Sequence, residues 1–330
     1  MKLSNLYSRI FAALFIISLL FIGLYKNSIF DNTFAEKYHL REKLVTWTMN
    51  FKFFALKDNF YNNMYTRDQQ WLNYINENSI DDAQNAIPFT QDELEKIHSK
   101  LGNLRQNLLD LGIKFYLVVP PNKLTIYYDD LYEIAPKLNS TSRLDQLVEY
   151  ETTHNGIEII DVRPELIEAK KVERVYYSTD THWNAYGAWL GYTKLMSLIS
   201  KDFPGLEAYP LDRFIMGETT WTGDLARLSG NLHINELSKT LKLINPKKVS
   251  YDAPIYYDYT ASTDEPDLPV ALVFKDSFYY MLQEYMIQHF NKMVCVGSYT
   301  FDYDKVDEIK PDLVIYEITE RYLHLLLYLP

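Results

Sequence analysis

Tyr176-Tyr177-Ser178-Thr179-Asp180-Thr181-His182-Trp183-Asn184-Ala185-Tyr186-Gly187-Ala188 is the stretch on which the reading of this chain turns. It follows an apolar, strand-like run at 157–161, and Asn184 supplies the side-chain oxygen that opens a helix. Strand, loop and helix in that order form the repeating unit of an α/β domain. Within the loop an acid and an imidazole stand two residues apart, a spacing that needs a bent backbone and not a helix face.

Outward from this stretch the same alternation recurs. A helix is expected over 90–109, with Leu94, Ile97, Leu101, Leu104 and Leu108 at helical spacing and Gly112 behind it. Ile113 to Val119 reads as a strand that Pro120-Pro121 stops. A helix at 142–154, the strand at 157–161 and a helix at 184–200 follow. Beyond them come strands at 269–274, 293–296 and 312–316, with a helix at 278–290. Such alternation implies a mostly parallel sheet covered on both faces, a three-layer α/β/α sandwich, with ligands at the carboxyl ends of its strands. The region 202–265 reads as an insertion with little strand or helix, and Gly223-Asp224-Leu225 and Ser229-Gly230-Asn231 within it as turns bordering a cleft.

A second short stretch, Val273-Phe274-Lys275-Asp276-Ser277-Phe278, places a serine where a strand becomes a helix. A serine hydroxyl is a weak nucleophile unless a base lies within hydrogen-bond reach and a third group orients that base. Ser277, His182 and Asp180 can fill these roles, with the N–H groups of Ser277 and Phe278 at a helix start facing an oxyanion and Asn231 as a further donor. Each signal has a plainer reading. Ser277 suits a helix N-cap, an Asp-x-His pair is commonly satisfied by backbone, and Asp180 with His182 would also suit a metal if a third ligand such as Asp224 joined them.

The 330 residues include 28 Tyr and 5 Trp, compatible with a sugar-binding surface, and carry a net charge of −11 without a basic block, which argues against a nucleic-acid partner. One cysteine, Cys295, excludes an intrachain disulfide and a cysteine-based zinc knuckle. Residues 10–26 read as a transmembrane signal anchor, an uncharged apolar run from Ile10 to Tyr25 closed by Lys26, behind a short basic head at 1–9. Residues 27–88 read as a juxtamembrane stalk or cap and 89–330 as the catalytic domain, placed outside the cell membrane.

The Asp180-Thr181-His182-Trp183 block with Asn184, Gly187 and Ala188 resembles the "DTHW" block of the SGNH-hydrolase-like alginate O-acetyltransferases of the AlgX/AlgJ type. Lys275-Asp276-Ser277-Phe278 is similar to that family's serine block, with Lys275 where a small residue is frequent. The resemblance extends to Pro121-Asn122-Lys123, Gly223-Asp224-Leu225 and Glu320-Arg321-Tyr322. It implies an SGNH-type sandwich, a Ser277-His182-Asp180 triad, no cofactor, and transfer of acetyl groups to polysaccharide hydroxyls through acetyl-Ser277. Trp183, Asn231, Arg321 and Tyr322 stand as candidate substrate-side residues. An acetyl donor outside the membrane implies an integral-membrane acyltransferase partner that relays acetyl groups. An acetyl esterase with the same triad and a non-catalytic glycan-binding scaffold are the competing readings.

Overall fold

The structure, a computed structural model, describes residues 47–48, 51, 55–56, 59–61, 63–66, 68, 70–131, 134–228, 234–255 and 258–330. The expected membrane anchor at 10–26 lies outside the described residues. Among those described, no helix is long and apolar enough to cross a membrane. The chain divides into two compact units, one of Met1–Asp58 with Ser229–Leu232, the other of Asn59–Leu228 with His233–Pro330. In the first, the Trp47 and Phe51 rings stack at 5.7 Å.

The second unit begins with a small antiparallel sheet, β1 (Phe60–Tyr61), β2 (Met64–Thr66) and β3 (Leu72–Tyr74), followed by α1 (Ser79–Ala83). Then come α2 (Gln91–Asp110), β4 (Lys114–Val119), α3 (Lys123–Ile126), α4 (Arg143–Thr153), β5 (Ile159–Asp161) and α5 (Arg163–Ala169). The long α6 (Ala185–Asp202) leads to β6 (Phe214–Trp221), α7 (Asp224–Leu228) and β7 (Glu236–Leu243). The rest is β8 (Ser250–Tyr251), β9 (Tyr259–Ser262), β10 (Val270–Phe274), α8 (Gln283–Met286), β11 (Lys292–Val296), α9 (Tyr303–Ile309), β12 (Leu313–Glu317) and a 3-10 segment, Glu320–Tyr328.

The central sheet has seven strands in the order β5-β4-β12-β10-β11-β9-β8. The first five run parallel; β9 is reversed, pairing antiparallel with β11 on one side and with β8 on the other, so β8 again points the way of the first five. Alternation along each strand divides the core. Val118, Val273 and Ile315 face a layer with Leu195, Ile199 and Met286; Leu117, Leu272 and Val314 face one with Leu101, Leu104 and Leu147. Burial of both faces is why these strands read as unbroken apolar runs. Capping boxes start two helices: Thr90 with Glu93 opens α2, and Ser142 with Asp145 opens α4.

Two expectations need correction. The segment 278–290 is not one helix but a chain of short turns: 3-10 at Ser277–Met281, α8, and 3-10 at Ile287–His289. Its apolar residues recur every three or four positions, a spacing that 3-10 and α turns share, so the pattern left the pitch open. Tertiary hydrogen bonds hold the turns, from Tyr259 Oη to Gln283 (2.6 Å) and between Tyr192 Oη and His289 (2.6 Å). The region 202–265 is also more ordered than its pattern suggests. β6 and β7 form a two-stranded hairpin, and β8 and β9 extend the main sheet. β6 is exposed through most of its length, so it lacks the alternation that marks a half-buried strand.

Candidate active site

β4, β12 and β10 are neighbours, and the chain leaves all three at the same end of the sheet. Ser277 follows β10. Asp276 before it is tied to the end of β12: Thr319 N (3.0 Å), the Thr319 hydroxyl and Tyr299 Oη (3.0 Å) donate to Asp276 Oδ2. The Asp276 N–H donates to Glu317 Oε2 at 2.7 Å. Glu317 is fully buried. Burial, and next the charge of Asp276, push its carboxyl well above its ordinary value of 4.5.

The Asp180-His182 stretch forms a tight loop closed by a Tyr176–Trp183 bridge, with Tyr177 N donating to the His182 carbonyl at 3.2 Å. Asn184 caps α6 by accepting from Tyr186 N (3.1 Å) and Gly187 N (2.9 Å). Gly187 is needed for close approach, because a Cβ there would lie 2.1 Å from the Val175 carbonyl oxygen. The loop turns His182 toward Ser277, with Asp180 behind the ring. His182 Nδ1 lies 2.6 Å from Asp180 Oδ1, and His182 Nε2 lies 2.8 Å from Ser277 Oγ. A carboxylate only accepts, so Nδ1 carries the proton and Nε2 is left to accept from the serine hydroxyl. The Phe278 ring packs on the imidazole at 4.8 Å between centroids.

Asp180 is almost wholly buried and accepts four donors. His182 N (3.1 Å) and Nδ1 reach Oδ1; Trp221 Nε1 (3.1 Å) and Asp224 N (3.0 Å) reach Oδ2. Burial opposes its charge, but the hydrogen bond to His182 and that ring's charge outweigh it and hold the carboxyl well below its usual range. Asp224 accepts from Thr181 N (2.8 Å) and Oγ1 (2.6 Å) and lies 3.6 Å from His182 Nδ1. Asp180, His182 and Asp224 are close enough together to hold a metal. Their carboxylate oxygens already receive N–H and O–H donors, however, so this donor set fits a proton relay better than a cation.

For His182, burial lowers the pKa, but the hydrogen bond and charge of Asp180, then the charge of Asp224, raise it further, to a net value above 6.5. A base must be neutral, so activity requiring this imidazole rises with pH through a midpoint above 6.5. Asp224→Asn removes one of the raising charges. It is expected to move that midpoint to lower pH, read from a kcat/KM profile; an unmoved midpoint would count against Asp224 acting on His182.

Four of these neighbours escaped the sequence reading or entered it only weakly. Trp221 and Asp224 come from the hairpin arm. Gly223 lets that arm dock, since a Cβ there would lie 2.0 Å from the Thr179 carbonyl oxygen. Glu236 accepts from Ser178 N and Thr179 N, each at 2.8 Å. Lys123, from the Pro-Pro-Asn-Lys stop after β4, donates to three carbonyls around the loop. Among them only the Gly223-Asp224 turn and, through the resemblance, Lys123 are marked in the sequence.

Trp183 is not on the substrate side. It is fully buried, and its Nε1 donates to the Phe278 carbonyl at 3.0 Å. Trp183→Ala is expected to lower folding stability by about 3–5 kcal/mol, measurable by denaturant unfolding. The Phe278 N–H is not free for an oxyanion either, because it donates to Asp276 Oδ1 at 2.8 Å; the Ser277 N–H has no acceptor among the described residues. Arg321 is mostly buried, with its guanidinium carbon 5.5 Å from the Phe278 ring centroid and Nη1 3.4 Å from Asn122 Oδ1. Tyr322 is half-buried and its hydroxyl donates to Glu77. Lys275 is buried, its ammonium 4.4 Å from the Tyr280 ring centroid. Asn231 lies outside the described residues.

The family model of the SGNH hydrolase-like domain of acetyltransferase AlgX matches residues 67–272. Among solved structures the chain is similar to Bacillus cereus PatB1, with a TM-score of 0.59 and 16% identity over 79% of this chain and 96% of that one. It is similar to the O-acetyltransferase domain of Pseudomonas putida AlgJ, with a TM-score of 0.51 and 20% identity over 79% of this chain and 92% of that one. For Pseudomonas aeruginosa AlgX the TM-score is 0.51 and the identity 18%, over 81% of this chain and 63% of that one. At these identities the likeness to the solved structures is one of fold. No curated protein matches the chain.

Proposed function

The chain belongs to the SGNH hydrolase-like acetyltransferase family of AlgX, and from that membership we propose that it is an O-acetyltransferase acting on polysaccharide hydroxyls through an acetyl-Ser277 intermediate. The observation that carries the proposal is the continuous relay from Asp180 through His182 to Ser277, with contacts of 2.6 and 2.8 Å. His182 Nε2 takes the Ser277 proton as Oγ attacks the acetyl carbonyl carbon of the donor. The resulting imidazolium, stabilised by Asp180, returns that proton to the leaving group as the carbon–oxygen bond to the donor breaks. A sugar hydroxyl then gives its proton to His182 and attacks the acetyl carbon; Ser277 leaves as the free hydroxyl once the proton returns to it. The Ser277 N–H is the oxyanion donor this assignment uses, and Arg321 with Tyr322 form the substrate side.

An esterase would run the same two steps with water as acceptor. Incubating the protein with an acetyl ester donor, with and without neutral or uronic-acid oligosaccharides, separates the two. Acetylated oligosaccharide is expected, and donor hydrolysis without transfer to any glycan would favour the esterase. We place the catalytic part outside the cell membrane, held by an anchor at 10–26 and supplied by an integral-membrane acyltransferase, since acetyl-CoA is cytoplasmic. A reporter fused after residue 330 that is active only in the cytoplasm would overturn this placement.

A further inference from the structure

We infer that Lys123 is a positioning residue for the reaction, a buried cation that fixes the Asp180-His182 loop by holding its backbone carbonyls against the strand β3. The inference rests on the triad reading above. Its ammonium donates to Leu72 O at 2.6 Å, Ser178 O at 3.1 Å and Asp180 O at 3.2 Å, and lies 4.2 Å from the Trp71 ring centroid. Lys123 itself is only 4% exposed. An ammonium has three N–H donors, so the three carbonyls use all of them.

The arrangement is directional. Glu236 grips the same loop by its N–H groups at Ser178 and Thr179, while Lys123 grips it by its carbonyls at Ser178 and Asp180. The loop is thereby clamped between buried charges of opposite sign, one from β7 and one from the start of α3. Leu72 N adds a direct bond to Ser178 O at 2.8 Å, so β3 closes over the loop from a third side. This gives the small N-terminal sheet a part in catalysis: Trp71 and Leu72 complete the cage around the Lys123 ammonium, and Lys123 keeps Asp180 aimed at His182.

The cage is sensitive to the charge it holds. Burial pushes the Lys123 ammonium down to about 7, against the opposing charges of Glu236, Asp180, Asp224 and Asp130. A neutral amine has two N–H donors, so deprotonation leaves one of the three carbonyls unpaired and loosens the loop. Activation of Ser277 therefore rises with pH as His182 loses its proton and falls again as Lys123 loses its own.

The test follows the rate at which phenylmethanesulfonyl fluoride labels Ser277, site-mapped by mass spectrometry, against pH in the wild type and in Lys123→Met. The variant is expected to label about 100-fold more slowly, the scale for a small misplacement of a reacting group, and to lose the alkaline limb. In acetyl transfer it should lose kcat with KM within about threefold, because Lys123 acts through the Asp180-His182 loop and bonds only backbone carbonyls. Equal labelling rates, or an alkaline limb retained in the variant, would overturn the inference while leaving the triad intact. A wild type in which Ser277 is labelled no faster than other serines would instead overturn the triad reading. If Lys123→Met does not fold, Lys123→Gln and the wild-type profile decide: a slowed variant and a wild-type alkaline limb support the inference, and the absence of either overturns it.

Discussion

Ser277→Ala is expected to remove acetyl transfer down to background, a loss of about 10⁶-fold in kcat if Ser277 works as a unit with its base. The substitution deletes one oxygen whose described partner is His182 Nε2, and Ser277 is not part of either packed core. Folding stability should stay within about 0.5 kcal/mol, as for a partly exposed site with no packing role. The check is paired: donor turnover, and mass spectrometry of the protein after exposure to an acetyl ester. The wild type should gain one acetyl group on Ser277 and the variant none. Undiminished transfer by the variant would sink the acetyl-serine route and favour a scaffold role.

Asp180→Asn should cost about 10⁴-fold in kcat, the scale seen when the orienting acid of such a relay is made an amide. The reason is local. Four N–H donors converge on the Asp180 carboxylate, from His182 N, His182 Nδ1, Trp221 Nε1 and Asp224 N. An amide offers one acceptor oxygen and one NH₂, so at least one pair of donors would face another donor. If the NH₂ turns to His182, the ring must present a bare Nδ1 and carry its proton on Nε2, where it can no longer accept from Ser277. If it turns the other way, the bonds to Trp221 and Asp224 are lost and the hairpin arm loosens. The pH profile distinguishes the two cases. Asp180 is the main partner raising the His182 pKa, so the acid limb should fall toward or below 6.5 in either case, and KM for the acceptor should rise only if the arm moves.

Much of the architecture is written locally. Strands buried on both faces must be apolar throughout, so β4, β10 and β12 are visible as runs of Val, Ile, Leu and Phe. The helices α2 and α4 announce themselves by apolar spacing and by Thr90 and Ser142 at their starts. The Asp180-x-His182 spacing likewise demands a bent loop, and a serine directly after a strand lies at the carboxyl edge of a parallel sheet. Less is legible where one residue has two uses. Trp183 reads equally as a ring for stacking on sugar or for filling a core, and its absence from the surface decides between them. The Phe278 N–H reads as an oxyanion donor until Asp276 takes it.

The sequence by itself therefore determined the layered α/β class, the Asp-His pair and the serine at a strand end, because each depends on residues within a turn or two of one another. Only the tertiary structure decided that His182 and Ser277 meet at 2.8 Å across 95 residues of chain. It alone decided that Trp221, Asp224 and Glu236 hold the loop from a hairpin whose exposed strand carries no periodic signal, and that Lys123 ties the loop to β3. The physical reason is one of range. Periodicity and capping are short-range preferences of the backbone, whereas a buried charge becomes tolerable only where distant segments together supply its partners.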